Sequence, residues 1–125
     1  MSEDDTTQDE ALRQMARPFA GIRVYDKLVR DKVPDMISNQ DKAVAYHTVK
    51  GATLMARFRD KLLEEFDELV DDPCHEEAAD LYEVVRSIVE HLDLDMGRVV
   101  YDIAAKKREQ RGSYSRGVVL EVVYE

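Results

Sequence analysis

The chain has 125 residues, 44% of them hydrophobic, and a net charge of −9. That is enough apolar content for one domain with a modest core, and the acidity argues against a general nucleic-acid or anionic-membrane binder. A lone cysteine, Cys74, gives no intrachain disulfide framework and no Cys/His zinc spacing, and no apolar run is long enough to span a membrane. These features fit a reducing, cytoplasmic setting.

The first ten residues, MSEDDTTQDE, hold five acids and no base. They do not resemble a secretory signal. Residues 1–20 read as an acidic, flexible tail ahead of a single domain at 21–125. Such acidity is also found in chains adapted to a salty cytoplasm.

"VYDKLVRDKVPDMISNQ" predicts a short helix over Leu28–Ser38, with Leu28, Val29, Val33, Met36 and Ile37 as its stripe and Pro34 restricting its first turns. "AVAYHTV", residues 43–49, predicts a short strand. Helical spacing of Met55, Phe58, Leu62, Phe66 and Leu69 predicts a helix from Thr53 to Val70. Asp72 and Pro73 suit an N-cap and first helical position, restarting a helix that runs to Leu92 with Ala78, Leu81, Val85, Ile88 and Leu92 inward. Tyr82, beside that stripe, is expected in the core. "LDLDMG" interrupts the pattern, and a third long helix follows with Met96, Val99, Val100 and Ile103 inward. The end, "RGSYSRGVVLEVVYE", is punctuated by Gly and Ser and then β-branched; residues 117–124 are expected to form a short strand pairing with 43–49. Val70, Val84, Val89 and Tyr101, on the outer flank of the helical hairpin, exceed what one small core can bury, so a homo-oligomer, dimer or tetramer, is expected.

The acids follow the same helical geometry. With Leu62 at the centre of its stripe, Glu65 falls about 60° and Glu68 about 120° to one side. With Leu81 at the centre of the next stripe, Glu77 falls about 40° and Asp80 about 100° off in the same rotational sense. Folded antiparallel about Pro73, equal senses lie on one side of the seam, with Glu68 level with Glu77 and Glu65 with Asp80. Either E-x-x-E or E-x-x-D alone is commonly a solvated helix face. Matched in side and level, four carboxylates would repel one another and raise their own pKa values unless a divalent cation, Mg²⁺, Mn²⁺ or Ca²⁺, takes up their oxygens. Glu64 and Asp67 lie farther round the helix, as supporting or solvated groups.

In that order, "YDKLVRDKVP" (25–34), "KLLEEFDEL" (61–69), "EEAADLYEVV" (76–85) and "KREQRGSYSRGVVLEVV" (107–123) resemble the MazG-like, all-α nucleoside triphosphate pyrophosphohydrolases. The nearest branch is the one resembling phosphoribosyl-ATP pyrophosphohydrolase. The resemblance implies an all-α antiparallel helical bundle, obligate homo-oligomers, Mg²⁺ (or Mn²⁺), and cleavage between the α and β phosphates of a nucleotide, with release of pyrophosphate. It makes Glu65, Glu68, Glu77 and Asp80 the metal ligands and Glu64 a support or further ligand, with Glu64 or Glu65 orienting or deprotonating the attacking water. The connection "LVDDPCHE" is short, as in that branch, and Gly112, Ser113 and Tyr114 stand where relatives often carry Gly-Gly-Phe.

Lys27, Arg30 and Lys32 sit at an expected helix start, where the dipole does not favour cations, which points to an anionic partner; ion pairing with nearby acids is the plain alternative. Arg30 suits a phosphate because a guanidinium binds two oxygens at once. Lys107 and Arg111 close the third helix, where cations are ordinary dipole partners, yet their density beside a Gly-containing turn makes them phosphate candidates. Tyr114 is a candidate to stack on a base. Three readings follow: a nucleoside triphosphate pyrophosphohydrolase, acting on an ordinary or modified nucleotide; a dedicated phosphoribosyl-ATP pyrophosphohydrolase; or a non-catalytic acidic helical module that binds a cation or a basic protein.

Overall fold

Pro34 decides where the first helix begins. A helix continued upstream of it would drive the proline ring into the Arg30 carbonyl, and proline has no N–H to give. A computed structural model describes residues 21–125, and in it α1 spans Val33–Ser38 with Pro34 in its first turn, not the longer Leu28–Ser38 expected. The Arg30 carbonyl instead accepts the Val33 N–H at 3.0 Å in a turn. Expectations for the acidic tail fall outside the described residues.

Two units divide the chain, residues 1–63 and 64–125, with their border inside one long helix. In the first, Arg57 donates to both the Asp26 backbone carbonyl and its carboxylate, each at 2.9 Å. This double grip holds Asp26 at φ 43°, a left-handed conformation that Asp tolerates better than most residues. Gly51, at φ 59°, turns the chain into α2, Gly51–Asp71, within two residues of its expected ends. Phe58 of that helix is buried.

The second unit opens on the last turns of α2. The Asp72 N–H closes the helix on the Glu68 carbonyl at 2.9 Å, and Pro73 lies in the turn. Cys74, extended at φ −151° and ψ 166°, is the residue that precedes α3, His75–His91, so the restart comes two residues later than the expected Asp72 cap. Glu76 and Glu77 in the first turn of α3 meet the positive end of its dipole. Leu81 and Ile88 of the expected α3 stripe are half-buried, but Val84 takes the inward place expected of Val85. Val84 is buried at 9% exposure while Val85, Leu92 and Tyr82 are exposed, which reverses the places expected for Val84, Val85 and Tyr82.

Asp93 ends α3 in the position usually given to glycine. At φ 58° it lets the Leu94 N–H reach the Val89 carbonyl (3.1 Å) while its own N–H reaches Glu90 (3.0 Å). These are the two bonds of a Schellman motif. Asp95 then caps the next helical stretch, its carboxylate accepting the Arg98 N–H at 3.1 Å. That stretch is not one regular helix. Arg98–Ala104 winds as a π-helix and continues into α4, Ala105–Arg111. The wider winding changes which residues face inward: Val99 and Val100 are half-buried, but Ile103 is exposed, against expectation.

The described chain is thus all-α, and no strand occurs among its described residues. The strands expected at 43–49 and 117–124 are not formed. β-branched side chains favour a pleated, half-buried surface, and here Val118, Val119, Val122 and Val123 remain exposed with no ladder beside them. Among the described residues no helix is long and apolar enough to cross a membrane.

Candidate metal centre

The charged groups of α3 fall into two sets with different fates. Arg86 bonds Glu83 through two nitrogens, at 3.0 and 2.8 Å, and also bonds Glu90. These partners sit three residues before and four after it, on one face of the helix, and they hold its guanidinium proton still more firmly than usual. Glu83 and Glu90 are therefore both engaged within α3, two carboxylates sharing one guanidinium. The E-x-x-R-x-x-x-E spacing of residues 83–90 is the sequence signal for this pairing.

Glu77 and Asp80 are placed differently. Half-buried on the same helix, they lie across from Glu65 of α2, with one oxygen of each of the three carboxylates within 4.8 Å of the others. A second set, Glu64, Glu65 and Glu68, comes equally close together along α2. Glu65 belongs to both. It is 6% exposed, the one buried charged side chain among the described residues, while its neighbour Phe66 is 53% exposed. The sequence pattern placed Phe66 in the apolar stripe and Glu65 beside it; the structure puts the carboxylate inward and the ring outward.

The expected levels pair Glu65 with Asp80 and Glu68 with Glu77. Glu65 does meet Asp80, and it meets Glu77 as well, while Glu68 groups with Glu64 and Glu65. Glu64, expected farther round the helix, is a full member of the second set.

The electrostatics follow from this crowding. The Glu68 carboxyl is raised above its ordinary value, foremost by its hydrogen bond with Glu65, then by burial and by the charges of Glu65, Glu64 and Glu77. A proton held on Glu68 is the one that carboxyl donates to Glu65. Glu77 is raised as well, first by burial and then by Asp80, Glu65, Asp72 and Glu76. Its Oε2 atom is buried and accepts no hydrogen bond. A buried carboxylate oxygen without a donor is costly, and a cation held at it would offset that cost. Hard oxygen donors at this spacing suit a hard divalent cation, so the two sets could hold a metal ion.

The basic candidates are distributed elsewhere. Lys27, Arg30 and Lys32 are exposed residues of the first unit. Because α1 starts only at Val33, Lys27 and Arg30 precede the helix rather than sitting in it, and Lys32 stands at its N-cap. The Lys27 ammonium lies 5.8 Å from the centre of the Tyr25 ring, and Arg23 lies 4.9 Å from it. Lys107 and Arg111 are exposed on α4, and Tyr114 is 98% exposed. Arg111 and Tyr114 line one hollow of about 460 Å³ formed by residues 111–118, and none of the five clustered acids lines it.

Comparison with protein-family models, with curated proteins and with solved structures finds no match to this chain.

Proposed function

We propose that the chain is a Mg²⁺-dependent nucleotide pyrophosphohydrolase, with Mn²⁺ as an alternative cation, that cleaves a nucleoside triphosphate between its α and β phosphates. The observation that supports this reading is Glu65, a buried carboxylate shared by two sets of acids on adjoining helices. Solvated helix faces have no reason to bury their acid and expose their phenylalanine. When bound, a divalent cation supplies positive charge to phosphate oxygens and makes a nearby water more acidic.

The chain's own groups have separable roles in this reading. Glu65, Glu77 and Asp80 hold the cation from two helices, and Glu68 adds a ligand from the first. Glu64, half-buried beside them, accepts the proton of the attacking water. Lys107 and Arg111 take up negative charge on the departing pyrophosphate. The sequence has no G-x-x-x-x-G-K-[ST] loop to cradle β and γ phosphates for transfer of the terminal phosphoryl group. The resemblance to MazG-like pyrophosphohydrolases points to the same bond.

Self-association belongs to the same reading. Phe66 lies about 100° round α2 from Glu65, and Val85 about 100° round α3 from Val84, in the same sense. In an antiparallel hairpin these fall on one side, and Phe66, Val70, Tyr82, Val85 and Leu92 are all exposed. Glu64 and Glu68 turn the opposite way, so a second copy covering the apolar side leaves the acids accessible.

The test is a panel of nucleotides, phosphoribosyl-ATP included, incubated with Mg²⁺ and resolved by ion exchange. Nucleoside monophosphate and pyrophosphate are the expected products, lost in Glu65→Ala and Asp80→Ala. A nucleoside diphosphate with free phosphate refutes the bond assignment. Turnover of phosphoribosyl-ATP alone names the dedicated enzyme, and no turnover of any nucleotide leaves a cation-binding module.

A further inference from the structure

The loop that follows α4 concentrates positive charge in a strongly acidic protein. Arg111 and Arg116 line the same 460 Å³ hollow, and no acid lines it with them. Neither guanidinium has an ion-pair partner among the described residues. Arg111 closes α4, where the helix dipole alone accounts for a cation. Arg116 lies beyond Gly112, after the helix has ended, so the dipole does not account for it. Two guanidiniums on one short loop offer paired donors to an anion.

The rest of the loop supplies what an anion needs. Gly112 at φ 80° and Gly117 at φ 63° bend the chain at either end, and the Gly117 N–H closes the turn on the Tyr114 carbonyl at 3.1 Å. The Ser113 hydroxyl donates to Ser115 Oγ at 3.2 Å and accepts the Ser115 N–H at 3.4 Å, which leaves the Ser115 hydroxyl to donate outward. Tyr114 stands almost wholly in solvent between them. A ring so exposed contributes nothing to the fold, but it offers a flat face to an aromatic ligand. The hollow is open to solvent, and every residue that lines it is exposed.

We propose that residues 111–118 form a site for a diphosphate group, with Arg111 and Arg116 on the phosphate oxygens, the Ser115 hydroxyl donating to them, and Tyr114 stacking on the base when the diphosphate belongs to a nucleotide. The planar guanidinium makes paired bonds to phosphate that a lysine ammonium does not. The link from this site to catalysis rests on the hydrolase reading; the binding itself does not, because none of the clustered acids takes part in it.

The experiment is calorimetric titration of the full chain with inorganic pyrophosphate and, separately, with ADP, both in EDTA so that no cation connects the anion to the carboxylates. The wild type is expected to bind pyrophosphate, and Arg111→Gln and Arg116→Gln each to weaken it about tenfold, the loss of a charge-assisted hydrogen bond. Tyr114→Ala is expected to weaken ADP and leave pyrophosphate unchanged. ADP binding no tighter than pyrophosphate would keep the site and make the free anion its ligand. Product analysis in Mg²⁺ tests the hydrolase reading separately, so its failure is told apart from failure of this one. All the substituted positions are exposed, and an unchanged helical circular-dichroism signal controls for folding in every variant. No pyrophosphate binding in EDTA, or binding undiminished in Arg116→Gln, overturns the proposal.

Discussion

Removing and restoring a divalent cation should change how firmly the protein folds. Two carboxylate sets share buried Glu65, and the Glu77 Oε2 atom has no donor, so the folded chain presents oxygens whose repulsion a cation relieves. The unfolded chain disperses those groups and binds the cation poorly. At a Mg²⁺ concentration about 100 times its dissociation constant, binding to the folded state alone adds about 2.7 kcal/mol. An unfolding entropy of about 2.1 cal/mol/K per residue, over 125 residues, converts this to a rise of about 10 °C in melting temperature. Differential scanning calorimetry in EDTA and in Mg²⁺, with the dissociation constant taken from a separate titration, measures it. Glu65→Gln should abolish most of the shift, because it removes a ligand from both sets at once. Glu68→Gln combined with Glu77→Gln should raise the metal-free melting temperature while removing the response, since an amide at 77 brings the N–H donors that its neighbours lack. A wild type that melts identically in EDTA and in millimolar Mg²⁺ would refute the reasoning and make the five acids a solvated face.

The metal-free protein should become more stable as pH falls from neutral towards the ordinary carboxylate range. Glu68 and Glu77 bind protons more tightly folded than unfolded, so their unfavourable contribution is present above the raised folded values and fades as pH drops through them; urea midpoints across that range check the sign, and a flat profile counts against the crowding. Mg²⁺ competes with the same protons, so the calorimetric shift should grow with pH. Asp93→Gly should stabilise by about 0.5–1 kcal/mol, because the left-handed position costs a side chain more than glycine loses in entropy; thermal melts test this, and destabilisation would mean that the aspartate side chain holds the turn. Sedimentation at micromolar concentration should give a species heavier than 14.4 kDa, and Phe66→Gln with Val85→Gln should return it to the monomer. A wild-type monomer would exclude the apolar side of the hairpin as a self-association surface.

The helices of residues 51–91 were legible in the sequence because their signal is local. Apolar residues recur at helical spacing, and the acids at 65/68 and 77/80 repeat the same three-residue step, so their shared side followed from rotation alone. The break at "LDLDMG" was legible too, though not that Asp93 would take the left-handed position and Asp95 the cap. Pro34 carried its own warning about α1. What tertiary structure decided was which residue on each helix faces the seam. One residue step rotates a helix by about 100°, and no residue reports the partner it will meet. That step exchanged Phe66 for Glu65 and Val85 for Val84, and turned four carboxylates at matched levels into two sets joined through one. The strands at 43–49 and 117–124 failed for a related reason: β-branched residues make an extended segment ready to pair, but a ladder exists only where a second segment lies beside it. Hydrophobic spacing fixes an element from within, whereas facing and pairing belong to contacts between segments far apart in the chain.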